Sequence, residues 1–114
     1  MAEMSQKTKN DIERLQLLEQ QLSTFLAQKQ NFQGQLLEVE NALLEIDTST
    51  GNVYKIVGNI MVLSDKEKLK EDLKAKKEIA ELRIKSLEKQ EKKIEEEAKT
   101  LQDSILKEIQ TKEG

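Results

Sequence analysis

The chain is predicted to be mostly α, a long antiparallel two-helix coiled coil whose arms are connected by a single central β-hairpin. Three observations carry this reading. Apolar residues step by three and four through two long, highly charged segments, which is the spacing of helices packed along a seam. Residues 53–63, VYKIVGNIMVL, form the one run that reads as β-structure. Proline is absent, so no imino acid interrupts either helical segment. As one domain over residues 1–114, the expected elements are helix 1 at about 5–47, the hairpin at about 53–63 and helix 2 at about 65–112.

In the first arm the seam runs Leu15, Leu18, Leu22, Phe25, Phe32, Leu36, Val39, Leu43, Ile46. Lys29 takes the one a position that breaks the heptad. Ile12, Leu17, Leu26, Leu37 and Leu44 add a second stripe and point to contacts beyond a single partner helix. At ~1.5 Å per residue this arm spans about 65 Å. Gly34 is a soft point or a close-approach site inside the helix, costing about 1 kcal/mol relative to Ala. Residues 47–52, DTSTGN, then gather small polar residues and a glycine that compete with helix and end it.

Strand alternation places Val53, Lys55 and Val57 on one face of the hairpin and Tyr54 and Ile56 on the other. After the turn, Ile60 and Val62 alternate with Met61 and Leu63. Gly58, followed by Asn59, supplies the positive φ of a tight hairpin, as the first residue of a two-residue turn or the last of a three-residue one. Both faces are largely apolar, and a lone two-stranded hairpin is marginal in water. Folding back on its own two helices offers too little surface to cover both faces. Its edges are therefore expected to pair with other chains, closing into an intersubunit sheet or barrel.

For the second arm, Ser64-Asp65-Lys66-Glu67 reads as a capping box, with Ser64 accepting from the Glu67 amide and Glu67 reaching back. The seam continues through Leu73, Ala80, Ile84, Leu87, Ile94, Ala98, Leu101 and Ile105, with Lys77 and Glu91 at seam positions. Glu81–Lys85 and Glu88–Lys92 are spaced as favourable i,i+4 pairs. Lys29 and Glu91 are read as approaching each other across the coil, although a few residues out of alignment on the simplest count. Arms of similar length joined by one short hairpin lie antiparallel with their free ends together. At those tips Ile12, Leu15, Leu17 and Leu18 on one arm and Leu101, Ile105, Leu106 and Ile109 on the other exceed what one seam buries. Apolar side chains on charged helices suit weak capture of other apolar chains, so these eight are the expected client-binding residues.

Composition excludes much else. Charged residues make up 36% of the chain, and there is no Cys and no His. That removes disulfides, thiolate nucleophiles, Cys-ligated zinc and the commonest base and metal ligand. No phosphate-cradling glycine loop is present, and the carboxylates fall on solvated helix faces. No catalytic, cofactor-binding or metal-binding residues are expected, and no enzyme. No apolar run nears the ~20 residues that cross a bilayer, and the amino terminus lacks a signal-peptide core, so a soluble cytoplasmic protein is expected. Residues 1–50 carry four basic and eight acidic groups, and residues 66–93 eleven and seven. Opposite arm charges favour antiparallel pairing, modestly because exposed pairs are weak. Two Arg and no one-sided basic face argue against a nucleic-acid partner.

The central run resembles that of the β-class subunit of prefoldin, the archaeal and eukaryotic co-chaperone, in the pattern V-Y-K-x-x-G-N-I followed by an apolar strand. Val53, Tyr54, Lys55, Gly58, Asn59 and Ile60 match it. The α-class subunits carry two hairpins; this chain has room for one. The resemblance implies a hexamer of two α-class and four β-class subunits, with partners that include α-class subunits and further copies of this chain. It implies hairpins joined in a double β-barrel platform. It also implies coiled-coil tips that hold unfolded polypeptides and pass them to a group II chaperonin without nucleotide. Platform assembly then falls to Val53, Tyr54, Lys55, Ile56, Val57, Gly58, Asn59, Ile60, Met61, Val62 and Leu63. The alternative is a structural coiled-coil tether or adaptor without chaperone activity, and a third reading is a helical arm for tRNA.

Overall fold

A computed structural model describes residues 4–113 of the chain, with side chains described through residue 111. In order, α1 spans Gln6–Thr48, β1 Val53–Val57, β2 Ile60–Ser64 and α2 Lys66–Glu113. Two long helices are thus joined by one antiparallel β-hairpin. The chain divides into two compact units, one built from the residues up to Gln28 and from Ser86 on, the other from Lys29–Lys85.

In the first unit the helices run in opposite directions. Ser5 meets Glu108, and nine residues further along α1 the Arg14 guanidinium meets the Glu97 carboxylate at 3.1 Å. Leu18, Leu87, Ala98 and Ile105 are its buried apolar residues. Ser5 caps α1: its carbonyl accepts from the Lys9 amide and its hydroxyl oxygen from the Thr8 amide, each at 3.1 Å. That satisfies amides which a helix start otherwise leaves without partners.

The second unit buries Ile46, Ala80 and Ile84. Leu36, Val39, Leu43 and Leu73 are half-buried along the same stripes, as the three-four spacing requires. Lys77 sits half-buried at its seam position, where a lysine can lay its long stem along apolar surface and keep its charge in water. Lys29 in this unit, and Glu91 in the other, are also half-buried at theirs.

The start of α2 differs from the expected capping box. Ser64 is the last residue of β2, paired with Val53. Asp65 takes the cap instead: its carboxylate accepts from the Glu67 amide at 3.2 Å and its carbonyl from the Leu69 amide at 2.9 Å. Strand pairing claims Ser64 first, and the next residue carries a side chain equally suited to the helix end.

α1 ends without a basic residue in its last turn, where one would complement the carbonyl end of the helix. α2 supplies it. The Lys66 ammonium donates to the Ser49 carbonyl at 2.8 Å, and the Lys70 ammonium lies 2.7 Å from the Asp47 carboxylate. Lys70, through its hydrogen bond and then its charge, holds the Asp47 carboxyl below the ordinary 3.8. The same hydrogen bond raises the Lys70 ammonium above the ordinary 10.5. Asp47 therefore contributes stability above its ordinary value, lost as pH falls through the lowered one. Lys70 contributes it below its ordinary value, lost as pH rises through the raised one. Between those limits the pair works in full.

Gly34 is exposed within α1, and a Cβ there would meet nothing within 4 Å. It is not a close-approach site in this chain, so only the helix-propensity cost of glycine remains. Gly34→Ala is expected to stabilise the protein by about 0.5–1 kcal/mol, read as a higher urea midpoint at unchanged slope. For the Asp47–Lys70 pair, Asp47→Asn should lower the urea midpoint near neutral pH. The gap to the parent should close as pH falls through the lowered Asp47 value, where the parent carboxylate takes up its proton; a gap that persists under more acidic conditions would show that the pair is not its source.

Candidate functional site

The hairpin register is Val53↔Ser64, Tyr54↔Leu63, Lys55↔Val62, Ile56↔Met61 and Val57↔Ile60. This leaves Gly58 and Asn59 as a two-residue turn. Gly58 has φ +63°, and no non-glycine residue among those described has positive φ. Positive φ at the first central position alone is the pattern of a type II′ turn, whose twist matches that of the flanking strands. Of the two arrangements open to the sequence, Gly58 is therefore the first residue of a two-residue turn.

Directly paired residues share a face, so the register sorts the side chains. Tyr54, Ile56, Met61 and Leu63 form one face, apolar throughout. Val53, Lys55, Val57, Ile60, Val62 and Ser64 form the other. Neither is covered: Ile56 is 71% exposed, Ile60 and Met61 66% each, and Leu63 62%. Only Val53 and Ser64, next to the helices, are half-buried. Val53 and Tyr54 border a shallow groove shared with Ala42, Ile46, Leu69 and Leu73 at the base of the coil. The hairpin does not fold back over the chain's own helices.

Both strand edges face outward, because the sheet has β1 and β2 alone among the described residues. Unpaired edges and two apolar faces are what a further strand or sheet would satisfy. Burying each large apolar side chain contributes about 1.5–3 kcal/mol before ordering costs. Seven such residues, from Tyr54 to Leu63, are more than half exposed or close to it. A partner surface that covered them would gain that burial.

The expected client-binding residues divide by burial. Leu18 at 1% and Ile105 at 9% exposure are enclosed in the seam and offer almost no surface. Leu17 and Leu106 are exposed. Ile12, Leu15, Leu101 and Ile109 are half-buried, each with an edge at the surface. Met4, just before α1, is also exposed, and a single methionine ahead of the first heptad carries no periodic signal. Thr8 was also missed. It is a buried polar residue one heptad before Leu15, and a pattern search for apolar residues passes over it.

Among the described residues no group of His, Cys, Asp and Glu is placed to hold a metal ion, and no helix is long and apolar enough to cross a membrane.

Two helices that pack on each other and present an uncovered hairpin define a coiled-coil subunit built to assemble through β-structure. The family model described as prefoldin subunit matches residues 9–112. Among solved structures, the chain is similar to the prefoldin beta subunit from Thermococcus strain KS-1, with TM-score 0.85 and 36% identity over 92% of this chain and 94% of that one. No curated protein gives a significant match. The chain belongs to the prefoldin subunit family. With that come a chaperone-type role and hetero-oligomeric assembly with other prefoldin subunits.

Gly58 tests the hairpin. A Cβ there would meet no atom within 4 Å, so a substitution costs only backbone strain, about 1–3 kcal/mol for a β-branched residue at this φ. Gly58→Val should impair oligomerisation and leave the far-UV helical signal mostly intact. Light scattering that finds the assembly mass unchanged would remove the turn from the assembly mechanism.

Proposed function

We propose that the chain is an ATP-independent holdase subunit that captures non-native polypeptides with its coiled-coil tips and delivers them to a group II chaperonin. Residues 53–63 join α-class subunits and further copies of this chain in a hexamer of two α and four β. Their hairpins close into a β-barrel platform. The observation that supports this most is the uncovered hairpin, apolar on both faces, in a chain of the prefoldin family. A subunit whose own fold leaves that surface bare is suited to existing within an oligomer.

Client contact falls first on Leu17 and Leu106, which already face solvent, and next on the partly exposed Ile12, Leu15, Leu101 and Ile109. Leu18 and Ile105 hold the seam and join only when the tip opens. Individually weak apolar contacts of this kind bind many sequences and release them, which a holdase needs. No covalent step and no nucleotide is involved, and the assembly works in the cytoplasm without nucleic acid or membrane.

A form lacking residues 1–14 and 101–114 is expected to assemble to the mass predicted for the shortened oligomer. It should no longer suppress aggregation of a denatured client. Suppression that survives the truncation would remove client capture from the tips and leave a tether or adaptor as the better reading.

A further inference from the structure

We infer that Ser5, Thr8 and Glu108 form a clasp that holds the tip closed and limits the apolar surface a client reaches. The inference rests on the proposal that the tips capture clients, and it adds a set point to that activity.

Thr8 is completely buried, a polar side chain at a seam position where leucine would be ordinary. Its amide donates to the Ser5 hydroxyl oxygen at 3.1 Å, and the two hydroxyls are hydrogen-bonded at 3.1 Å. Burying Thr8 costs little only while Ser5 holds that place, because a buried polar group left without its partner is penalised. Ser5 in turn donates to the Glu108 carboxylate, which crosses from α2 to the start of α1. α1 has no acidic residue in its first turn. Glu108 brings to that helix start the negative charge its dipole favours. Three side chains thus depend on one another, and only Glu108 belongs to the opposite helix.

What the clasp hides is apolar. Glu108 lies three residues beyond Ile105 on the α2 seam, and Thr8 lies seven before Leu15 on the α1 seam. While they are joined, Leu18 and Ile105 are enclosed, and Leu15 and Leu101 show only an edge. Releasing the clasp frays the first turns of α1 from the tip inward and uncovers these four residues together. The closed tip keeps the assembly from offering that surface when no client is present, and a client takes it by displacing the clasp.

Ser5→Ala and Glu108→Gln, the second close in size to the parent, test this in the full chain assembled with its partner subunits. Unchanged oligomer mass and helical signal establish that the variants fold. Amide exchange over residues 9–18 should quicken by about fivefold or more, the effect of losing a helix cap. Fewer equivalents should then suppress aggregation of a denatured client. Conversely, Ser5→Cys with Glu108→Cys, joined by a short thiol cross-linker in this cysteine-free chain, should suppress less well than its uncross-linked form. Unchanged exchange would overturn the clasp itself, and faster exchange with unchanged or weaker suppression would overturn its control of capture. The truncation described above separates the two readings: if it abolishes suppression while the clasp variants leave suppression unaltered, only the clasp fails.

Discussion

Two helices packed on each other bury one stripe apiece, and that geometric limit governs the rest of this protein. The stripe takes in Leu18, Leu87, Ala98 and Ile105 in one compact unit and Ile46, Ala80 and Ile84 in the other. Everything else apolar must stay at the surface or find cover outside the chain. The hairpin is the largest such remainder. Its two faces carry Tyr54, Ile56, Met61 and Leu63, and Val57, Ile60 and Val62, and among the described residues no third element lies over either. Leu37 and Leu44, at 60% and 66% exposure, are smaller remainders of the same kind. A fold with so little interior is stabilised along its length by repeated small contacts, and its spare apolar surface is left open to partners.

The ends of α1 show how the second helix completes the first. α1 has no acidic residue in its first turn and no basic residue in its last, so neither end turn carries a charge of the sign its dipole favours. In one unit the Glu108 carboxylate lies at the amino end, and in the other Lys66 donates to the Ser49 carbonyl at the carboxyl end. Each charge has the sign that its helix end favours. A helix whose end charges come from its neighbour draws part of the order of its ends from the packed arrangement, so pairing of the helices and ordering of α1 are linked. Lys70 with Asp47 adds to this where the hairpin begins.

Attachment of the hairpin is unequal on its two sides. Residues 49–52 separate α1 from β1, while Asp65 alone separates β2 from α2. That single residue both ends the strand pairing begun at Val53↔Ser64 and caps the helix, so the direction of β2 passes into α2 with little slack. The Ser49 carbonyl, held by Lys66, ties the looser side to the same first turn of α2. A hairpin seated in this way is tied to the helices on both of its sides.

The amino-acid sequence by itself determined the class of fold. Heptad spacing over both arms, the β-branched run from Val53 to Val62 and the glycine at 58 each depend on local periodicity or on one backbone angle, which the chain carries without reference to its partners. The family was legible too, in the short pattern from Val53 to Ile60. What the tertiary structure decided are choices between near-equal local options. Gly58 could serve two turns until the strand register selected the two-residue one. Ser64 and Asp65 could each cap α2 until pairing with Val53 took the serine. At the tips, eight apolar residues looked alike in sequence, and only packing separated the buried Leu18 and Ile105 from the exposed Leu17 and Leu106. Thr8 and Glu108 fall in step with the seams but are polar, so the apolar pattern does not mark them. Their meaning comes from being brought together with Ser5 across a distance of about one hundred residues in the chain, and only a folded coil does that.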